Sequence, residues 1–143
     1  MSYFSWFSEH SVKHRQIVQK LLTQNYNKEA IIEYFKFENM LICEPEFCLL
    51  YKEGKKCHER AYLSCYLCAC PHFRFNDNGI REENDLVIKS ECMIHSRKAS
   101  YFVHEKSAHL DCSKCVVPHT KAFIDKHFDS DWMNIMKACV LHL

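Results

Sequence analysis

The chain has 143 residues, of which 48% are hydrophobic and 26% are charged, values typical of one globular domain. Its formal net charge is +1, so overall charge gives no reason to expect nucleic acid or an anionic membrane as a partner. The longest apolar runs are only a few residues, whereas a membrane-spanning helix needs ~20. The first residues lack the basic start and long apolar core of a secretory signal, so we expect a cytoplasmic protein.

Residues 1–42 contain no cysteine and carry helical signals. Ser8 or Ser11 is predicted to cap a first helix whose apolar residues fall mostly on one face, and Asn27 to cap a second. Pro45 should end this helical part, because a proline disfavours helical geometry in the residue before it.

Residues 43–120 form a cysteine-rich part, and residues 121–143 carry apolar residues at helical spacing, which predicts C-terminal helices. Residues 73–75, 85–89 and 100–104 are β-prone, and a strong turn signal follows the first of them at Asn76–Gly79. We therefore predict a single small domain (1–143) of α+β class, mostly α, with short strands and irregular loops stabilised by metal.

Two Cys-x-x-Cys segments dominate the cysteine-rich part. The first is Cys65-Tyr-Leu-Cys-Ala-Cys-Pro-His72, and the second is Asp111-Cys-Ser-Lys-Cys-Val-Val-Pro-His119. Two residues between thiols let one turn direct both sulfurs at a single ion, so two such turns are typical of a tetrahedral metal site. Without a secretory signal, disulfides are the less probable use of so many thiols.

The number of donors exceeds what one four-coordinate ion needs and is enough for two. For a first site we predict the ligands Cys65, Cys68, Cys112 and Cys115. The other candidate ligands are Cys48, Cys57, Cys70 and Cys92, with His58 or His119 as substitutes. Because Cys68 and Cys70 are two residues apart, they are able to serve neighbouring sites or to bridge two ions.

Zinc is the metal we favour, since thiolates with an occasional imidazole are its usual ligands. An iron–sulfur cluster is the alternative, because it also takes four thiolates and because Cys70-Pro71 resembles the end of a ferredoxin ligand run. The spacing of Cys65, Cys68 and Cys70 fits neither common ferredoxin pattern, which argues against that alternative.

Four residues are interpreted as structural. Cys43 and Cys139 lie among apolar residues, where a free cysteine behaves as a small hydrophobe. His10 and His14 are one helical turn apart, but no thiol or carboxylate is placed to complete a site with them, so we interpret them as a polar helix face.

The sequence contains no motif of a known catalytic zinc site, so we lean against an enzyme and identify no small-molecule substrate. Basic and aromatic residues alternate in the cysteine-rich part, but acidic residues are mixed among them, which disfavours nucleic-acid binding. Three functions stay open: a structural metal centre that supports a surface for an unidentified protein partner, an iron–sulfur redox or accessory protein, and metal storage or transfer.

The order Cys57-His58, Cys65-x-x-Cys-x-Cys-Pro-His72, Cys92 and Asp111-Cys-x-x-Cys-x-x-Pro-His119 resembles the cysteine-rich small domain family. That family is described as zinc-finger-like and consists of small prokaryotic proteins or domains, some found beside cobalamin-related genes. The resemblance covers residues 44–125 and implies a metal-binding domain whose biochemical role is unsettled. Cys48 and Cys57 are separated by a longer insert than is usual in the family.

Overall fold

The structure is a computed structural model and describes residues 2–141. Within this part, five α-helices and two small β-sheets form a single small domain, which confirms the predicted α+β class. The helices are α1 (Tyr3–Thr23), α2 (Lys28–Tyr34), α3 (Phe37–Cys43), α4 (Lys121–His127) and α5 (Trp132–Met136). The strands are β1 (Phe73–Phe75), β2 (Arg81–Glu83), β3 (Leu86–Ile88), β4 (Ser90–Cys92), β5 (Ser100–His104) and β6 (Ser107–Asp111). The last two residues of the predicted C-terminal helical part lie outside the described residues.

Helix α1 begins at Tyr3, so the prediction that Ser8 or Ser11 caps it is wrong. Ser2 is the N-cap, and its hydroxyl accepts a hydrogen bond from the N–H of Ser5 at 3.0 Å. A side-chain acceptor at this position satisfies one of the free N–H groups of the first turn. The helix is therefore longer than predicted, and its first turns reach the β-sheets.

Two histidines of α1 lie in the hydrophobic core. His10 is 4% exposed and stacks on Trp6, and its ring centre is 4.6 Å from that of Phe47. His14 is fully buried and donates its Nε2–H to the carbonyl of Tyr66 at 3.0 Å. The interpretation of this pair as a polar helix face is wrong, because aromatic rings enclose both imidazoles.

The connection from α2 to α3 follows the sequence signals. Asn27 caps α2, and its side-chain oxygen accepts a hydrogen bond from the N–H of Ala30 at 2.9 Å. Helix α3 ends at Cys43, two residues before Pro45, as predicted. Phe35 lies between the two helices with no exposed surface, so this short helical pair packs directly on the core.

The strands form one two-stranded and one four-stranded sheet. Strand β1 pairs antiparallel with β4, which places Phe73 opposite Cys92. The order of the larger sheet is β2-β3-β6-β5, with β3 and β6 parallel and the other pairs antiparallel. The predicted strands at 73–75 and 100–104 are confirmed with those bounds, and β3 lies within 85–89. Strands β2, β4 and β6 were not predicted.

Helix α5 closes the core. Trp132 is 1% exposed, and its ring centre lies 5.0 Å from that of Phe7 on α1. Met136 and Cys139 are fully buried on the same side, as the predicted inward stripe requires. In residues 2–141, none of the helices combines the length and the apolar character that crossing a membrane requires.

The start of α1 is attached to the sheets by its own first residues. The carboxylate of Asp77 accepts hydrogen bonds from the N–H groups of Tyr3 at 2.8 Å and of Phe4 at 3.1 Å. The hydroxyl of Tyr3 lies 3.0 Å from the Ser90 hydroxyl and 2.6 Å from Nδ1 of His109. These contacts hold the helix against both sheets, beside the cysteine-rich loops.

Candidate metal centre

Cys57, His58 and His119 bring their ligand atoms together. The Sγ of Cys57 and one ring nitrogen of each histidine all lie within 4.8 Å of one another. Among residues 2–141 these are the histidine, cysteine and carboxylate side chains that converge this closely. One thiolate and two imidazoles are three of the four ligands that a tetrahedral zinc site uses.

A hydrogen bond to the main chain orients His119. Its Nδ1–H donates to the carbonyl of Ser64 at 2.9 Å, and the N–H of Ser64 donates back to the carbonyl of His119 at 3.2 Å. The Nε2 atom then lies 3.6 Å from the Sγ of Cys57. Because the ring proton is on Nδ1, where it is donated to the carbonyl, Nε2 carries a lone pair that faces Cys57, as in most histidines that bind metals.

His58 is arranged in the same way. Its Nε2–H donates to the carbonyl of Cys115, and its Nδ1 is buried without a hydrogen-bond partner. The ring centres of His58 and His119 are 4.9 Å apart. Burial lowers the pKa of both, and the charge of Arg60 lowers the pKa of His58 further. The neutral form, which binds metal, is therefore favoured in both rings.

Four thiols affect one another's pKa values, and we call them the upstream thiol group: Cys48, Cys57, Cys65 and Cys68. Burial, with smaller contributions from Cys65 and Cys48, raises the pKa of Cys57 to about 11. A hydrogen bond to Cys65 raises the pKa of Cys68 well above its ordinary value, and burial and the other thiols of this group act in the same direction. A divalent cation among these thiols would offset their mutual repulsion.

Cys65 is the most thiolate-like member of the upstream thiol group. A hydrogen bond from Cys68 lowers its pKa, against the effect of burial, and nearby Tyr51 lowers it as well. The Tyr51 hydroxyl is buried and makes no hydrogen bond of ordinary geometry, so its effect on Cys65 comes from proximity. Tyr51 is therefore a second partner of Cys65, beside Cys68, and the cysteine spacing did not reveal it.

The other four thiols of the cysteine-rich part form the cavity thiol group: Cys70, Cys92, Cys112 and Cys115. All four line one cavity. Burial raises the pKa of Cys112 to about 12, and Cys70, Cys115 and Cys92 add to this effect. Burial likewise raises the pKa of Cys70 to about 11, with Cys115 and Cys92 contributing.

An unusual turn separates the two groups. Ala69 has a φ of +85° and Cys70 a φ of +53°, so two consecutive residues with side chains adopt left-handed geometry. Such geometry is disfavoured for residues other than glycine, and the surrounding structure must stabilise it. The turn directs Cys68 to the upstream thiol group and Cys70 to the cavity thiol group.

The predicted grouping of the ligands stays a prediction. The sequence joined Cys65 and Cys68 to Cys112 and Cys115, whereas the thiols that raise the pKa of Cys68 are Cys65, Cys57 and Cys48. The pair at 112 and 115 lies instead with Cys70 and Cys92. His58 connects the groups through its hydrogen bond to the Cys115 carbonyl. That these ten residues bind metal stays a prediction.

The two cysteines interpreted as structural differ from each other. Cys139 is fully buried, and its Sγ lies 3.5 Å from the carbonyl oxygen of Cys70. Cys43 is exposed at the end of α3, so the expectation that it lies in an apolar setting is wrong. All ten cysteines are free thiols.

The donors of the upstream region fit a thiolate-preferring ion such as zinc. Their sulfurs repel one another as thiolates, and the two imidazoles are held neutral with one nitrogen free. Sequence reasoning missed Ser64 and Tyr51. Ser64 acts through its main chain, which leaves no signal in residue type, while Tyr51 lies only three residues after Cys48 and could have been considered.

Comparison with known proteins adds no relative: no family model, curated protein or solved structure matches this chain.

Proposed function

We propose that this protein binds zinc at a centre built around Cys57, and that the ion holds the cysteine-rich part in its folded form. The convergence of Cys57, His58 and His119 within 4.8 Å is the observation that supports this most directly. The main-chain carbonyls that accept the ring protons of both histidines prepare free nitrogen atoms for an ion.

Cys57 is the ligand common to two arrangements. In one, the ion is bound by Cys57, His58, His119 and a fourth donor. In the other, the four sulfurs of the upstream thiol group bind it and the histidines stay outside the coordination sphere. Both arrangements supply four ligands without a position for substrate, which is typical of a structural zinc site.

A structural role agrees with where the ligands lie. Cys65 is 4% exposed, between the fully buried residues Leu63 and Tyr66, while Cys57 belongs to an exposed loop. An ion shared by these residues would attach that loop to the core, and its binding free energy would contribute to folding. The resemblance to the cysteine-rich small domain family implies metal binding, which we retain as a proposal, together with a reduced, cytoplasmic setting.

Iron–sulfur chemistry is a second candidate because the cavity thiol group supplies four thiolates at one place, lined by apolar residues. The two candidates differ in colour. Protein purified without oxygen should be colourless and contain zinc if our proposal is right. Visible charge-transfer absorption, with iron and sulfide in stoichiometric amount, would show that the protein binds an iron–sulfur cluster and would refute the zinc proposal.

The test of the centre is metal content by elemental analysis of Cys57→Ser beside Cys43→Ser. We expect the first substitution to remove one zinc ion per chain and the second to remove none, because Cys43 is exposed and is not among the convergent donors. Equal zinc in both variants would refute the proposal. His119→Gln then separates the two arrangements, since loss of zinc identifies an imidazole ligand and retention identifies four sulfurs.

A further inference from the structure

A cavity of about 560 Å³ lies beside the cavity thiol group. One wall is aromatic: Tyr3, Phe73 and Phe75 line it, and the ring centre of Tyr3 is 5.8 Å from that of Phe73 and 5.4 Å from that of Phe75. The volume is in the range of sites for small organic molecules. Rings arranged in this way offer flat apolar surface for stacking.

Another part of the lining is formed by sulfur. Cys70, Cys92, Cys112 and Cys115 all reach the cavity, whereas the upstream thiol group contributes no residue to its lining. Backbone pairing of β1 with β4 positions Cys92, and the N–H of Cys115 bonds to the carbonyl of Cys112 at 2.9 Å. The sulfurs are therefore held on secondary structure and a turn, at the edge of an apolar space.

We propose that the cavity thiol group binds a second zinc ion, and that a flat, apolar ligand with nitrogen or sulfur donors enters the cavity and takes this ion. This inference rests on the proposed zinc-binding function and deepens it. The aromatic wall stacks on the body of the ligand while its donor atoms reach the ion. The cavity thiol group is then the site from which metal is transferred.

The exchange needs no oxidant or reductant. As each zinc–sulfur bond breaks, a bond from zinc to a donor atom of the incoming ligand forms, and the displaced thiolate takes a proton from water. Zinc stays divalent throughout and leaves as its complex with the ligand.

The test compares two chelators with the same two nitrogen donors. Zinc-loaded protein is mixed with 1,10-phenanthroline, which is flat and apolar, or with its 5-sulfonate, which carries a charge that the apolar cavity disfavours. We expect phenanthroline to remove one ion per chain faster than the sulfonate does. Cys92→Ser should lack that ion, and Cys57→Ser should keep it. Equal rates for the two chelators, or removal of the ion that Cys57→Ser lacks, would overturn the inference.

A variant that fills the cavity tests the inference without a comparison of two chelators. Ala99 lines the cavity without being a metal donor, so Ala99→Trp should slow removal by phenanthroline about tenfold, equivalent to ~1.4 kcal/mol in the barrier. Ala61 is exposed and lies outside the lining, so Ala61→Trp should leave the rate unchanged. If Ala99→Trp also leaves it unchanged, the inference is refuted. Protein that binds zinc only at Cys57 would refute it too, while the proposed function would stand.

Discussion

Cys68 and Cys70 are separated by one residue, yet their thiols belong to different groups. The left-handed backbone at Ala69 and Cys70 turns the chain between them. Cys68 interacts with Cys65, Cys57 and Cys48, whereas Cys70 lies with Cys92 and Cys115. The Cys-x-x-Cys-x-Cys segment is thus the place where the two proposed centres meet, and it contributes sulfur to both.

If that separation holds in solution, Cys68→Ser and Cys70→Ser should each remove a different zinc ion. Each single variant should retain about one ion per chain of an expected two, and the double variant should retain none, because a four-ligand site seldom survives the loss of a thiolate. Elemental analysis measures this directly. Cys139→Ser is the control, since its buried thiol only approaches the Cys70 carbonyl and a hydroxyl can do the same. A single ion lost equally in both single variants would indicate one shared site.

The buried histidines should make the fold sensitive to acid. Burial lowers the pKa of His10 to about 3, with a smaller contribution from Lys13, whereas in the unfolded chain it stays near its ordinary value of 6.5. Between about pH 6.5 and about pH 3 the unfolded state therefore binds more protons, so stability falls as pH decreases, at up to ~1.4 kcal/mol per pH unit for this residue. His10→Phe should remove that part of the slope.

Urea unfolding at about pH 7 and about pH 5 measures the effect. Titration of the other groups is common to the wild type and the variant, so the difference between their slopes isolates His10. His104→Phe is the matched control, because His104 lies on the exposed strand β5 and should leave the slope as in the wild type. Identical slopes for His10→Phe and wild type would show that this imidazole is not held neutral by the core.

Gly79 occupies the turn after β1, and its backbone requires glycine. Its φ is +105°, and a Cβ added there would lie 2.5 Å from Cγ1 of Val87 on β3. We expect Gly79→Ala to lower the free energy of unfolding by about 2 kcal/mol, from backbone strain and from displacement of Val87. Gly54→Ala is the comparison, because Gly54 has a φ of +65° with open space around it and should cost about 1 kcal/mol. Equal losses in the free energy of unfolding at the two positions would show that the contact with Val87 adds no cost.

Asp77 should contribute to stability through the start of α1. Asp77→Ala removes the acceptor for the N–H groups of Tyr3 and Phe4, and we expect a loss of about 1–2 kcal/mol, typical of a helix cap. Glu82 is exposed on β2, so Glu82→Ala provides the reference for loss of a surface carboxylate. Denaturant unfolding compares the two, and a loss no larger than that of Glu82→Ala would contradict the capping role.

Local signals in the sequence predicted local structure well. The cap at Asn27, the end of the helical part before Pro45 and the strand at 100–104 follow from residue type alone. Strand β6 has weak β-propensity and is a strand because it is paired on both sides, with β3 and β5. The burial of His10 could not be predicted either, since it depends on Phe47 and Trp132, which lie far along the chain.

The candidate donors were chosen from the sequence, and their grouping into sites stays a prediction. Spacing shows which thiols share a turn, and it does not show where the chain goes after that turn. Here the direction is determined by positive φ values at two residues that are not glycine, a conformation that sequence gives no reason to expect. Spacing therefore gave no reason to place Cys48 and Cys57, which precede the first Cys-x-x-Cys segment, beside Cys68.

The two thiol groups are also separate in the order of synthesis. Every member of the upstream thiol group precedes every member of the cavity thiol group, since the first ends at Cys68 and the second runs from Cys70 to Cys115. At about 5–20 residues added per second, several seconds pass between Cys68 and Cys115. The upstream thiols have thus all been synthesised before the cavity thiol group is complete. In the proposed arrangement with four sulfurs, competition between the groups for an ion would be limited by time, as well as by the turn that divides them.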